Sequence, residues 1–358
     1  MIDHKRGFLK ALLDAVNPYG WVTGIRNKAF DCNILKSRSF DIPVICIGNI
    51  TVGGTGKTPH TEYLVRLLRR KYRTAVLSRG YGRDSKGYVK AGTTTTMTEI
   101  GDEPFQIKNK FKEIDVAVCE KRVEGIKELL GEKNGLQVIL LDDAFQHRYV
   151  KAGLNILLID SNRPLWQDCI LPFGRMRESI RGIKRADVAV ITKCKGITPS
   201  QAEWCKRYLK REKDIPVFFS TMRYGEHYPL FADNRKTPEI RQDTEVLLVT
   251  GIAKPEPLKS EIESRGARVK LMQYADHHNF TVAELGKIAE SFNRLQGKHK
   301  MIMTTEKDAT RLLQRKELPD CIKENIYALP IEIDILYGDE KMFNQIIEDY
   351  VTENSRNG

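Results

Sequence analysis

One stretch decides the fold expected for this chain: Gly48-Asn49-Ile50-Thr51-Val52-Gly53-Gly54-Thr55-Gly56-Lys57-Thr58-Pro59. It follows an apolar run at 42–47 and precedes a stretch of helical character at 60–70. Glycines let backbone N–H groups turn toward an anion, and the first turn of a helix adds a favourable dipole. A strand, a glycine-rich loop ending in Gly-Lys-Thr and a helix form the Walker A arrangement, which binds nucleotide phosphates.

The residue types in this loop predict its chemistry. Lys57 is placed to reach the β- and γ-phosphates and to act in catalysis, and Thr58 to ligate Mg²⁺. Thr51 replaces the first glycine of the Walker A pattern, and Gly53-Gly54 compensates for it. The predicted nucleotide-binding residues are Gly53, Gly54, Thr55, Gly56, Lys57, Thr58 and Pro59.

A second motif supports nucleotide binding. The apolar run at 138–141 leads directly into Asp142-Asp143. An apolar strand that ends in aspartate is the Walker B arrangement, which holds Mg²⁺ directly or through water. The two motifs predict a bound nucleotide with Mg²⁺ as cofactor and Asp142 and Asp143 as metal ligands, and they leave open which of the two touches the metal.

Short apolar runs recur between turn signals and helical stretches from residue 42 onward. Such runs are typical of parallel strands buried on both faces, so an α/β fold with a mainly parallel sheet of P-loop NTPase type is predicted. The predicted strands lie at 44–47, 75–77, 116–118, 138–141, 156–159, 188–191, 217–219, 246–249 and 301–303. The polar stretch 221–243, with its two prolines, indicates a weak domain boundary.

The first forty residues differ from the rest of the chain. An apolar helical face is formed by Phe8, Leu9, Leu12, Leu13 and Val16. Pro18 stops that pattern, and the aromatic residues Tyr19 and Trp21 follow it. The segment contains seven basic residues and three acidic ones. Such an amphipathic segment can dock on the domain or lie in a membrane interface, and by itself it favours docking.

Composition narrows the class of protein. The 358 residues carry 59 Lys and Arg against 47 Asp and Glu, a net charge of +12 that favours an anionic partner. Hydrophobic residues at 41% and charged residues at 30% exclude a disordered or polytopic membrane chain. Seven cysteines without CxxC spacing argue against a zinc site or a disulfide framework and favour a reducing compartment.

Eight colinear motifs give the sequence a resemblance to the lipid A 4′-kinases (tetraacyldisaccharide 4′-kinases) over about residues 8 to 313. The phosphate loop is the first motif, and the others follow it in order. They are Ser78-Arg79-Gly80-Tyr81-Gly82-Arg83, Gly101-Asp102-Glu103-Pro104, Leu141-Asp142-Asp143-Ala144-Phe145-Gln146-His147-Arg148, Leu171-Pro172-Phe173-Gly174-Arg175-Met176-Arg177-Glu178, Gly251-Ile252-Ala253, Asp276-His277-His278 and Thr305-Glu306-Lys307-Asp308.

The resemblance implies a reaction and a place for it. ATP would phosphorylate the 4′-hydroxyl of a tetraacylated glucosamine disaccharide 1-phosphate to give lipid IVA, at the cytoplasmic face of the Gram-negative inner membrane. The implied partners are this anionic glycolipid and the membrane surface, with no nucleic acid and no obligate protein partner. Because the acceptor is a membrane lipid, the resemblance reverses the interpretation of residues 8–28, which we expect to contact membrane or lipid.

The resemblance also implies a domain arrangement. A P-loop kinase core is followed by a smaller C-terminal α/β lobe, and the active site lies between them. With the boundary indicated by the polar stretch, the predicted domains are an N-terminal amphipathic membrane-interface segment at 1–40, the core at 41–225, and a lobe at 226–358 that closes over the active site.

Substrate-binding and catalytic residues follow from the matched motifs. The resemblance implies substrate contacts by Arg79, Tyr81, Gln146, His147, Arg175, Arg177 and Glu178. A sugar hydroxyl must lose its proton as it attacks, and Asp102 is the candidate general base. The resemblance suggests that one histidine of the His277-His278 pair forms a dyad with this base, and His277 is preferred without excluding His278. The motif at 305–308 is a candidate for the nucleotide side of the C-terminal lobe.

Two other classes of P-loop protein were weighed against a kinase. A partitioning or targeting ATPase, acting as a nucleotide switch, needs lysine where this chain has Val52. A GTPase would need aspartate after Thr192-Lys193 at position 195, which is Lys195. Charge alone leaves nucleic-acid binding possible, but no helix-turn-helix, zinc-finger or aromatic-basic RNA motif supports it.

Overall fold

The computed structural model describes residues 17–132, 135–231, 237–276 and 278–355. The chain divides into two compact units. The first contains the described residues up to Thr94, Ile107–Met222 and those from Ile333 onward. The second contains Thr95–Gln106 and Arg223–Glu332.

A sheet of nine strands organises the first unit. Its strands in the described part of the chain are β1 (Val44–Gly48), β2 (Thr74–Ser78), β3 (Val89–Lys90), β4 (Asp115–Val118), β5 (Val138–Asp142), β6 (Leu154–Asp160), β7 (Val188–Thr192), β8 (Val217–Tyr224) and β14 (Ile331–Ile335). Their order is β14-β8-β7-β6-β1-β5-β2-β4-β3. The strands from β8 to β4 run parallel, and β3 is antiparallel to β4.

The central strands are buried because each is a short run of branched apolar residues. Every residue of β1, β5 and β7 is buried, and Ile45 and Ile47 have no exposed surface. This is the pattern expected for parallel strands covered on both faces. The predicted α/β fold with a mainly parallel sheet is confirmed, and all nine predicted runs are strands.

Helices connect and cover the strands. Within the described residues they are α1 (Pro18–Asp31), α2 (Lys57–Leu68), α3 (Met97–Ile100), α4 (Asp102–Lys110), α5 (Arg122–Gly131), α6 (Pro199–Lys210), α7 (Glu256–Ser264), α8 (Val282–Asn293), α9 (Glu306–Leu313), α10 (Asp320–Lys323) and α11 (Glu340–Ser355). Short 3₁₀ turns lie at Leu165–Gln167, Ile180–Arg185 and Leu336–Gly338.

The second unit has its own sheet and core. Its strands are β9 (Tyr228–Pro229), β10 (Thr244–Thr250), β11 (Arg268–Gln273), β12 (His299–Thr305) and β13 (Ile326–Leu329), in the order β11-β10-β12-β13-β9. All neighbours are parallel except β13 and β9. One apolar cluster contains Leu247 and Phe280, and a second contains Val246 and Ile262.

The C-terminal helix departs from the predicted domain division. The lobe was placed at 226–358, but the chain returns to the first unit at Ile333, and Thr95–Gln106 belongs to the second unit. Helix α11 buries Phe343, Ile347 and Val351, so its apolar stripe needs a partner surface. It finds that surface in the first unit, where the rings of Phe343 and Phe218 lie 5.1 Å apart.

The hydroxyl of Tyr350 fixes α11 to the central strand. Val44 N donates to this hydroxyl at 3.1 Å, and the hydroxyl donates to Val44 O at 3.2 Å. Gly153 leaves room for the ring, because a Cβ at that position would lie 2.2 Å from the hydroxyl oxygen. The last helix therefore covers the core at the first residue of β1.

The described part of the N-terminal segment begins at the start of helix α1. The predicted amphipathic face at 8–16 lies outside the described residues. Pro18, expected to stop a helical pattern, is the first residue of α1, a position that suits its fixed φ. Asn17 caps this helix by accepting from Gly20 N at 3.1 Å.

Within the described ranges, no helix combines the length and the apolar character needed to cross a membrane.

Replacing Gly153 with alanine should destabilise the protein by about 1–3 kcal/mol, because the new methyl group overlaps the ring of Tyr350. Urea denaturation of the two proteins measures the difference. Gly24→Ala is the control, since nothing lies within 4 Å of the added Cβ in α1 and the change should be neutral or slightly stabilising. Equal stability of Gly153→Ala and the wild type would contradict the role assigned to Tyr350.

Candidate active site

The phosphate loop joins β1 to α2 through two glycines in left-handed conformations. Gly53 has φ of 107° and Gly56 has φ of 86°, and Lys57 is the first residue of the helix. Gly56 is also confined by its neighbours, because a Cβ there would lie 2.7 Å from Cε of Met222. The strand, loop and helix predicted from the sequence are thus present, with the helix start open to an anion.

Side chains from neighbouring loops hold the phosphate loop in shape. Asn49 Nδ2 donates to Thr55 Oγ1 at 2.8 Å. At the end of β7, Thr192 Oγ1 donates to Thr55 O at 2.9 Å, and Lys193 Nζ donates to Gly54 O. Two loop carbonyls are therefore satisfied by protein donors.

The first turn of α2 is anchored by a neutral histidine. The ring nitrogens of His60 lie 2.7 Å from Gly56 O and 3.0 Å from Ser220 Oγ. Burial lowers the pKa of His60 to about 4, so the ring is uncharged near neutral pH. His60 therefore acts as a structural link between α2 and β8 and adds no charge beside the loop.

The two aspartates at the end of β5 have different surroundings. Asp142 is fully buried, and its Oδ1 accepts from Thr61 Oγ1 at 2.8 Å. Asp143 has φ of 47° and a side chain that is 28% exposed. Its carboxylate lies 3.7 Å from Lys57 Nζ and 3.1 Å from Arg177 Nη1. The structure therefore places Asp143 beside Lys57 and gives Asp142 a bond to the helix behind it.

Arg122 is a buried cation that the sequence interpretation missed. Only 2% of Arg122 is exposed, and its Nη1 donates to Cys119 O at 2.8 Å. Burial lowers its pKa to about 10, while the charges of Asp142 and Asp143 oppose that change. The sequence did contain a signal for it, because Arg122 follows an apolar strand and precedes the Walker B strand by fewer than twenty residues. Arg122 balances the two carboxylates from inside the unit.

His147 was predicted to contact substrate, and the structure shows what holds its ring. Its Nε2 accepts from Arg122 N at 3.3 Å. Burial, followed by the positive charges of Arg122, Arg26 and Arg79, lowers the pKa of His147 to about 4. The ring is therefore neutral, and the nitrogen that accepts is bound to the start of α5.

Gln146 and the buried Glu178 belong to one hydrogen-bond network beside the phosphate loop. Gln146 Nε2 donates to Asn49 O at 2.6 Å and to Glu178 Oε1 at 3.0 Å. Glu178, only 2% exposed, also accepts from Asn27 Nδ2 at 2.8 Å and from Arg185 Nη2 at 2.7 Å. These two predicted substrate residues therefore connect α1 to Asn49 at the beginning of the phosphate loop.

The remaining predicted substrate residues of this unit are more open. Arg79 is exposed and Tyr81 is 90% exposed in the loop after β2. Arg175 is exposed, and Val52 N donates to its carbonyl at 2.7 Å. Because β1, β5 and β2 are parallel neighbours, the loops that follow them meet at one edge of the sheet. Arginines thus lie at the edge of the sheet where the phosphate loop begins, and their positive charge suits phosphates.

The proposed general base belongs to the second unit. Asp102 is the first residue of α4, and its Oδ2 forms an ion pair with Arg311 Nη2. His277 lies outside the described residues. His278 Nε2 is 2.9 Å from Glu284 Oε2, and the ring stacks on Tyr274 at 4.9 Å between centroids. These contacts tie His278 to the start of α8.

The motif at 305–308 forms a helix start. Thr305 caps α9, and Asp308 is fully buried. The carboxylate of Asp308 accepts from Thr250 Oγ1 at 2.9 Å and from Gly251 N at 3.0 Å. These bonds attach α9 to the end of β10 within the second unit, and contact with nucleotide stays a prediction for this motif.

The oxygen ligands near Lys57 fit a magnesium ion. In the part of the chain that the structure describes, no cluster of three or more His, Cys, Asp or Glu side chains could hold a metal. Magnesium at phosphate sites is commonly held by one or two protein oxygens, with water and substrate phosphates completing the shell. The Thr58 hydroxyl at the start of α2 and the Asp143 carboxylate beside Lys57 supply oxygens of that kind.

Comparison with known proteins gives consistent results. The family described as tetraacyldisaccharide-1-P 4′-kinase matches residues 9–352. A tetraacyldisaccharide 4′-kinase of Bacteroides thetaiotaomicron is 47% identical over 350 residues, 95% of this chain and 92% of that protein. One from Bacteroides fragilis is 48% identical over 347 residues, with the same coverage. The crystal structure of apo-form LpxK from Aquifex aeolicus in complex with ATP aligns with a TM-score of 0.72 at 27% identity, covering 96% of this chain and 99% of that one.

Proposed function

The chain belongs to the tetraacyldisaccharide-1-phosphate 4′-kinase family, and we propose how its residues share the work of that reaction. The enzyme transfers the γ-phosphoryl group of ATP to the 4′-hydroxyl of a tetraacyl glucosamine disaccharide 1-phosphate, giving lipid IVA in lipid A biosynthesis. The family match across residues 9–352 carries this conclusion, and it disfavours the alternative of a partitioning or targeting ATPase.

The phosphate loop and Lys57 receive the triphosphate. The start of α2 supplies backbone donors, and the Lys57 ammonium lies where charge on the transferring group can be neutralised. When bound, Mg²⁺ supplies further neutralisation of phosphate charge, and Thr58 and Asp143 are the residues that would hold it. Asp142 keeps α2 in place through Thr61.

The arginines at the same edge divide between orientation and acceptor binding. Arg177 contacts Asp143 at 3.1 Å and so orients that carboxylate. Arg175, Arg79 and the exposed ring of Tyr81 are available to the anionic disaccharide, whose 1-phosphate suits the planar fork of arginine. Asp102 is the base that accepts the proton of the attacking hydroxyl, and its pairing with His277, which lies outside the described residues, stays a prediction.

A cavity at the ends of β6 and β7 is the proposed place for adenosine. It has a volume of about 570 Å³ and is lined by Trp166, Trp204, Gln167, Gln201 and Lys193. Aromatic rings and amide side chains suit a flat heterocycle with hydrogen-bonding edges. Lys193 also donates to Gly54 O, so a hydrogen bond joins the wall of the cavity to the phosphate loop.

Helix α1, which belongs to the same unit, presents apolar side chains to solvent. Tyr19, Trp21, Val22 and Ile25 are 40–70% exposed, and Lys28 adds positive charge. Exposed aromatic and aliphatic residues with basic neighbours are typical of helices that lie in a membrane interface. We assign α1 to contact with the anionic glycolipid and the cytoplasmic leaflet of the inner membrane, which makes the enzyme a peripheral membrane protein.

Lys57→Ala and Asp143→Asn should each lower kcat by about 10²–10³, because both residues act where charge develops on the transferring phosphoryl group. The assay is transfer of labelled γ-phosphate from ATP with Mg²⁺ to the tetraacyl disaccharide 1-phosphate, run also without lipid. Lys71→Ala is the control, since this lysine is 57% exposed and pairs with Glu348 on the surface. Normal kcat for Lys57→Ala at saturating ATP would remove Lys57 from the mechanism, and lipid-independent hydrolysis stimulated by a protein would revive the ATPase alternative.

Trp204→Ala should raise the Kd for ATP about tenfold, which corresponds to about 1.4 kcal/mol of lost stacking. Calorimetric titration gives the affinity, and energy transfer from tryptophan to a fluorescent ATP analogue reports proximity. Trp21→Ala is the matched control, because Trp21 lies in α1 and outside the cavity. Unchanged affinity and undiminished energy transfer for Trp204→Ala would place the adenine elsewhere.

Val22→Glu and Ile25→Glu should weaken binding to vesicles containing phosphatidylglycerol and raise KM for the lipid acceptor, with KM for ATP unchanged. The reason is that each substitution puts a negative charge where apolar surface meets the membrane. Val282→Glu is the control, because Val282 is 64% exposed in the second unit and Val22 is 66% exposed. Equal loss of vesicle binding in all three variants would show a general charge effect and contradict the assignment of α1.

A further inference from the structure

Arg311 is a buried arginine of the second unit to which no role has been given so far. It lies in α9 and is only 3% exposed. Its Nη2 forms an ion pair with Oδ2 of Asp102, and its Nη1 lies 3.8 Å from Oδ1 of Asp308. The guanidinium therefore stands between two carboxylates.

One of these carboxylates is fixed from the other side. Asp308 is fully buried and accepts from Thr250 Oγ1 at 2.9 Å and from Gly251 N at 3.0 Å. Thr305 Oγ1 donates to the same oxygen of Asp308 at 2.7 Å. A continuous set of polar contacts thus runs from the end of β10, through the buried side chains of Asp308 and Arg311, to the partly exposed Asp102.

The charges argue that this pair does more than compensate a buried cation. An arginine taken out of water needs a nearby carboxylate, and Asp308 already supplies one. Asp102 adds a second, which brings the formal charge of the three groups to −1. The second carboxylate is in excess of what burial requires, and it is the one proposed as the base.

We infer that Arg311 is a positioning residue for Asp102, an inference that rests on the proposed role of Asp102 as general base. By holding Oδ2, the planar guanidinium sets the direction in which the carboxylate faces the acceptor. In the reaction the 4′-oxygen forms a bond to the γ-phosphorus as the bond to ADP breaks, and the hydroxyl proton passes to Asp102. A misplaced carboxylate would slow this step without weakening the binding of either substrate.

A purely structural role predicts different behaviour. Aspartate in the first turn of a helix is favourable in itself, because it faces the positive end of the helix dipole. If the pair only stabilised the start of α4, replacing Arg311 would lower the free energy of unfolding. The folded fraction of the variant would then keep the normal kcat. Kinetic readouts are therefore needed beside a melting curve.

The first test compares Arg311→Met with Arg311→Lys in the full-length kinase, with ATP, Mg²⁺ and the lipid acceptor. We expect Arg311→Met to lower kcat about 10²-fold while both KM values stay within about twofold. Arg311→Lys should retain intermediate activity, and guanidinium ion at non-denaturing concentration should restore part of the kcat of Arg311→Ala. Arg265→Met is the control, since Arg265 also bonds inside the second unit, to Glu261 and to the carbonyl of Gly225. It should lose stability and keep its kcat.

The second test separates this inference from the proposed function. Asp102→Asn combined with Arg311→Met should be no slower than Asp102→Asn alone, because residues that act as a unit are not additive. Normal kcat for Asp102→Asn would remove the base itself. An inactive Asp102→Asn with a normal Arg311→Met would overturn only the inference about Arg311, as would a fully multiplicative loss in the double variant or a failure of guanidinium to rescue a folded Arg311→Ala.

Discussion

The active site of the first unit depends on where helix α2 begins. Three residues of its first two turns contact β5, the residue that follows β5, and β8, and these two strands lie on opposite sides of β1 in the sheet. Thr61 donates to Asp142 at the end of β5, Lys57 lies beside Asp143, and His60 is linked to β8. A helix start held from both sides keeps its unpaired N–H groups aimed at one point, which is what a triphosphate requires.

Hydrogen bonds elsewhere in the unit connect the phosphate loop to helix α1. Asn27 of α1 donates to buried Glu178, Gln146 donates to the same carboxylate, and Gln146 also donates to the carbonyl of Asn49. The surface assigned to the lipid and the loop that receives ATP are therefore connected through a few partly buried hydrogen bonds. Glu178 can be buried there because Arg185 balances its charge at 2.7 Å.

Much of the fold could be predicted because parallel buried strands appear in a sequence as unbroken apolar runs. Strand β11 was missed because it is a sheet edge in which the exposed Lys270 interrupts the apolar residues. Strand β13 was missed although its four residues form an unbroken buried apolar run like those of the predicted strands. The chemistry of the phosphate loop is local in sequence and was predictable. The roles of Arg122, Arg311 and Glu178 depend on partners distant in sequence, about 20 to more than 200 positions away, so only the folded chain shows them.

The return of the last helix to the first unit has a consequence for how the enzyme is made. The hydroxyl of Tyr350 completes the hydrogen bonding of Val44. The strand that precedes the phosphate loop therefore lacks two hydrogen bonds until helix α11 has been synthesised and has packed against it. On the ribosome, the second unit can finish its own sheet while the nucleotide-binding unit still lacks its closing helix. Residues as far as Tyr350 must therefore be synthesised before the nucleotide-binding unit can complete its core.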